Sequence, residues 1–134
     1  MPIPPTDPDF RAEVARLRTG ARRRTFPLGV HVGTPAGLRR CLEVPWPVPD
    51  EYDAGLRFDV MCALVDDLAC GAAWGWLTRP GVPEVHDVDL GWLSATTKAC
   101  GAHGVELTGF RVVTKTGWLD VVSGENRTWT RLRA

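Results

Sequence analysis

Two stretches of the chain repeat one layout, and that repetition restricts the fold more than any other feature. In the first, Leu56, Val60, Leu64 and Leu68 recur at helical spacing with Met61 and Val65 beside them, and the run ends in Ala69-Cys70-Gly71-Ala72. This pattern predicts a helix over 54–69, capped by Asp53. Residues 72–77 then read as a strand that closes on Thr78-Arg79-Pro80-Gly81. In the second stretch a helix starts at Asp87, with Asp89 in its first turn to suit the helix dipole, and ends in Ala99-Cys100-Gly101-Ala102. Leu90, Leu93, Thr97 and Cys100 are its expected inward stripe, and residues 107–113 follow as a strand closing on Thr114-Lys115-Thr116-Gly117.

A strand, a helix and a second strand in one sheet form a parallel crossover, nearly always right-handed. Strands 72–77 and 107–113 are therefore expected side by side, parallel, and ending at one edge of the sheet. Ligands of open α/β sheets sit beyond the carboxyl ends of the strands. Thr78, Arg79, Thr114 and Lys115 would stand there, two hydroxyls and two cations suited to a phosphate or carboxylate. Thr and Gly are also ordinary turn residues, and a cation at a strand end is often just solvated.

The rest of the chain supplies simpler elements. Asp7-Pro8 reads as an N-cap and first helical residue, and Phe10, Val14 and Leu17 continue as one apolar stripe, which predicts a helix over 8–18. Arg11, Arg16 and Arg18 lie off that stripe. The turn residues Gly33-Thr34-Pro35-Ala36-Gly37 separate two strand-like runs, 26–32 and 38–44, as an antiparallel hairpin. Pro27 puts the first of these at a sheet edge. Residues 1–6 read as a loose Pro-rich tail. Residues 45–49 are an internal Pro-rich linker that either packs Trp46 on the core or offers a polyproline-type motif. A last strand is expected over 128–132, after the turn 123–126. The order α-β-β-α-β-α-β-β describes an α+β domain: one mixed sheet of about five strands, three helices and one parallel crossover.

A chain of 134 residues is long enough for one domain with a core that needs neither disulfide nor metal. The most apolar stretches, 72–77 and 110–113, fall far short of the ~20 residues that a membrane-spanning helix requires. The first residues carry no basic or apolar signal region, which predicts a cytoplasmic protein with reduced cysteines. Cys41, Cys62, Cys70 and Cys100 form no C-x-x-C pair, and no local spacing joins them to His31, His86 or His103 as a metal site.

Net charge is zero but unevenly laid out. Residues 11–40 hold eight arginines and one glutamate, whereas residues 41–106 hold three bases and eleven acids. Either these blocks neutralise each other across the fold, or a basic face meets an anion. The arginine excess over lysine, fourteen to two, accompanies abundant Ala, Gly, Pro and Val, the pattern of a GC-rich coding sequence, and by itself is weak evidence for nucleic-acid binding. The tryptophans, Trp74, Trp76, Trp92, Trp118 and Trp129 among them, serve as core or as a stacking surface.

Catalytic signatures are missing: no G-x-S-x-G, no H-E-x-x-H, no Walker loop and no G-x-G-x-x-G. The acids Asp50, Glu51, Asp66, Asp67, Asp87 and Asp89 lie where capping and solubility account for them, and Cys100 with His103 is a weak nucleophile–base pair. The leading expectation is a non-catalytic binding or regulatory module without cofactor or metal. It would contact an anionic partner (nucleic acid, nucleotide or acidic protein) through Arg22, Arg23, Arg24, Arg39, Arg40, Arg79, Lys115 and the C-terminal Arg131. A small enzyme acting on a phosphorylated or carboxylated metabolite at the strand ends is the alternative, with Asp87, Glu106 or His86 for acid–base chemistry. A structural subunit that forms homo-oligomers through exposed tryptophans is the third.

Overall fold

The computed structural model describes residues 7–20 and 23–129. Its elements are α1 (Asp7–Gly20), β1 (Leu28–Gly33), β2 (Arg39–Val44), α2 (Ala54–Leu68), β3 (Ala72–Thr78), α3 (Asp87–Ala102), β4 (Glu106–Thr114), β5 (Gly117–Asp120) and β6 (Asn126–Thr128). They build an α+β fold with one mixed sheet of six strands in the order β2-β1-β3-β4-β5-β6. The two repeated units place β3 and β4 side by side and parallel, with Thr78 opposite Val113. All other neighbours are antiparallel.

Three strand expectations need correction. Pro27 does not mark an edge: β1 is flanked by β2 and β3, and the proline sits one residue before the strand, where its missing N–H costs no ladder bond. The segment after Thr114 is not only a turn, because Lys115 and Thr116 close a tight hairpin and Gly117–Asp120 returns along β4. The last strand comes earlier than expected, at Asn126–Thr128, and residues 130–134 lie outside the described part, as does the expected tail 1–6.

Alternation along the strands sends side chains to two faces. On one face Leu28, Val30 and Val32 of β1, Ala73 and Leu77 of β3 and Phe110 of β4 pack against Met61, Val65 and Leu68 of α2 and Trp92, Ala95, Ala99 and Cys100 of α3. On the other, Trp74, Trp76, Val113 and Trp118 receive Phe10 and Val14 of α1. Each large apolar side chain buried this way contributes about 1.5–3 kcal/mol. The buried Arg111 guanidinium joins this second layer, 3.8 Å from the Trp118 ring centroid and 4.5 Å from that of Phe10. Four of the tryptophans, Trp74, Trp76, Trp92 and Trp118, are thus buried, and Trp46 packs on the α2–α3 core. Trp129 is half-buried against the second layer.

The buried face of α3 is offset from the leucine stripe. Asp89, Trp92, Ala95, Thr96, Ala99 and Cys100 face inward, while Leu90 is 48% exposed. Small residues let α3 lie close to the sheet: a Cβ on Gly75 would stand 3.1 Å from Thr96 and 2.8 Å from Phe110. Trp92 then buries more area than either leucine could. No helix among the described residues is long and apolar enough to cross a membrane.

Candidate functional site

The strand-end residues converge in backbone but not in side chain. Arg79 is fully buried. Its Nε and Nη2 donate to the two carboxylate oxygens of Asp89 at 2.8 and 2.9 Å, and its remaining N–H groups reach the carbonyls of Pro80, Val82 and Glu84. A guanidinium has five N–H donors, and these contacts occupy them. Arg79 therefore offers nothing to a ligand, and the anion site expected at the strand ends is not assembled around it. The reason is local: the loop after β3 folds over the guanidinium and brings in Asp89 from the first turn of α3. That carboxylate also accepts the backbone N–H of His86 at 2.8 Å, so the helix starts from His86 rather than from an Asp87 cap.

The other three members separate. Thr114 is buried in the β4–β5 turn, where its hydroxyl lies 3.3 Å from the Gly117 carbonyl and accepts the Thr116 N–H. Lys115 Nζ donates to the Arg23 carbonyl at 2.8 Å and stands 5.3 Å from the Phe26 ring centroid. Thr78 turns to the α1 side of the sheet, its Oγ1 3.0 Å from His31 Nε2.

That last contact lies in a cleft of about 370 Å³ between α1 and β1–β2, with Glu13, Arg16, His31, Arg39, Glu43 and Thr78 among its walls. Alternation places His31 on this face, between the core residues Val30 and Val32. Gly29 makes room for the pair, since a Cβ there would overlap Thr78 Oγ1 and stand 2.7 Å from His31 Nε2. The His31 ring stacks on Trp76 at 5.1 Å between centroids, with planes 4° apart. Its Nδ1 is buried without a hydrogen-bond partner among the described residues. Burial, and secondarily the charge of Arg16, lowers the His31 pKa to about 4. The imidazole is then neutral near pH 7 and far too weak a base for general-base work there. It is a hydrogen-bonding group, as is the Thr78 hydroxyl.

Glu13 is the buried acid of this cleft, and Glu43 is an exposed one. Glu13 pairs with Arg39 and stands 3.5 Å from Arg16. Arg39 also lies 5.6 Å from the Trp76 ring centroid. Its part in an open basic face is thereby reduced, and alternation sends neighbouring Arg40 to the opposite side of β2. Arg23, Arg24 and Arg40 are exposed. Arg22 and Arg131 fall outside the described residues.

His31 and Glu13 carry this cleft although sequence reasoning did not assign them to it. The signals were a histidine between two core valines after a glycine, and a lone acid among eight arginines. His103 turns to Asp66, with Nδ1 3.8 Å from its carboxylate, and burial raises the Cys100 thiol pKa, so those two form no activated pair. Among the described residues no cluster of His, Cys, Asp and Glu could hold a metal ion. Comparisons of the chain with protein-family models, with curated proteins and with solved structures find no match, so the functional reading rests on this geometry.

Proposed function

We propose that the protein is a non-catalytic binding or regulatory module that meets an anionic partner at the rim where the β4–β5 turn touches the segment after α1. The observation that carries this reading is the contact of Lys115 Nζ with the Arg23 carbonyl. It brings a cation from 92 positions away beside the exposed Arg23 and Arg24. Phe26, over which Lys115 lies, is also a wall of the α1 cleft, so rim and cleft are continuous. Arg16, exposed on α1, extends the positive charge. A neutral His31 and the Thr78 hydroxyl would supply hydrogen bonds beneath it.

Nucleic acid is the partner to test first, because its phosphates favour arginine forks and its affinity responds steeply to salt. Fluorescence anisotropy with a labelled 20-base-pair duplex should show affinity falling linearly in log–log form between about 50 and 200 mM salt, with a slope near −0.9 per phosphate contacted. The double variant Arg23→Ala/Arg24→Ala should reduce that slope by about two. A flat salt response removes nucleic acid as the partner. Binding of polyglutamate with the same arginine dependence would assign the rim to an acidic protein.

A further inference from the structure

We propose that the groove between α2 and α3 is a second binding site, taking the phosphate of a small phosphorylated molecule that also has an apolar portion. The groove encloses about 500 Å³ and lies on the face of the sheet opposite α1. It is thus independent of the rim proposed above.

Charge placement is the first support. Residues 41–106 hold eleven acids and three bases. One of the three, Arg79, is consumed by Asp89. The other two, Arg57 and Lys98, come from different helices and line this one groove, and no carboxylate does. In a stretch where acids outnumber bases, this groove is lined by two cations and no acid.

The geometry is the second support. Gly91, Ser94, Ala95 and Lys98 stand one and two turns apart on one side of α3. Arg57 faces them from α2, its Nη1 held by the Tyr52 carbonyl at 2.6 Å. The guanidinium packs over Gly91, where a Cβ would lie 3.2 Å from Cζ and 3.3 Å from Nε and Nη2. Its Nε is buried without a hydrogen-bond partner among the described residues. Lys98 and Ser94 are exposed, and their side chains make no hydrogen bond or ion pair among those residues. Phe58 and Ala95 form an apolar wall. The α2 N-terminus is already capped, since Asp53 accepts the Leu56 N–H at 2.9 Å, so the site rests on side chains and not on the helix dipole. A phosphate monoester carries about −1.5 to −2 charges at pH 7, which two cations balance and one does not.

The test is an amide NMR titration of the full chain with phenyl phosphate, with benzoate as the carboxylate control at equal ionic strength. Saturable shifts are expected at Gly55, Gly91, Ser94 and Lys98, with benzoate clearly weaker. Lys98→Glu, a change at an exposed position, should weaken phenyl phosphate about tenfold, and Arg57→Gln should act in the same direction. Arg23→Ala/Arg24→Ala should leave the titration unchanged, which separates this site from the rim. Absence of saturable shifts, shifts confined to the rim, equal affinity for benzoate, or indifference to Lys98→Glu would each overturn the proposal.

Discussion

Arg79 and Asp89 form a two-point ion pair with both side chains fully buried, Nε to Oδ1 at 2.8 Å and Nη2 to Oδ2 at 2.9 Å. The pair joins the end of β3 to the first turn of α3. It thereby fixes the loop between them through the carbonyls that Arg79 also holds.

Removing one partner of this pair leaves a charge buried and uncompensated. Asp89→Ala should therefore cost about 3–5 kcal/mol in urea unfolding. The double variant Arg79→Met/Asp89→Leu should lose much less than the sum of the single changes, as a double-mutant cycle would measure.

Gly29 should tolerate no side chain. Gly29→Ala would force Thr78 and His31 apart and should destabilise the protein by about 1–3 kcal/mol, the usual range for overpacking. Adding Thr78→Ala should recover part of that loss, because the hydroxyl is the nearest obstacle to the new methyl group.

His31 makes stability depend on pH in a defined window. Its pKa falls from 6.5 to about 4 on folding. Between those values the unfolded chain binds the additional proton, so stability is complete above about 6.5 and declines as pH drops towards 4. The contribution is at most about 3 kcal/mol, reduced by the ring's partial exposure. Denaturation midpoints measured from pH 4 to 7 should fall more steeply in the wild type than in His31→Gln.

Ala69 closes α2 in a left-handed conformation, at φ 49° and ψ 44°. An L-residue is strained there and glycine is not. Ala69→Gly should raise stability by about 0.5–1 kcal/mol in the same assay.

The sequence showed the scaffold better than the site. The parallel pairing of β3 with β4 followed from the repeated α-β unit, and the β1–β2 hairpin from the turn residues 33–37. The strand β5 escaped because it has four residues and begins within the Thr-x-x-Gly motif that read as a strand end. Leu90 misled because leucine spacing suggested the buried face of α3, whereas close packing on the sheet selected Ala95, Thr96 and Ala99. The strand-end site was not assembled, because Asp89 takes up Arg79 while Thr78, Thr114 and Lys115 turn to separate partners. Nothing in one dimension tells whether a loop folds Asp89 back onto Arg79 or leaves that arginine open. The ion pair of Glu13 with Arg39 was hidden for the same reason, since 26 positions separate its partners.

Reversing the charge of Arg23 and Arg24 probes the anionic-partner reading at its source. Both side chains are exposed, so Arg23→Glu/Arg24→Glu should leave the unfolding midpoint unchanged. Affinity for a labelled duplex at about 50 mM salt should then fall by more than about tenfold relative to the wild type. Unchanged affinity in that variant would contradict the account.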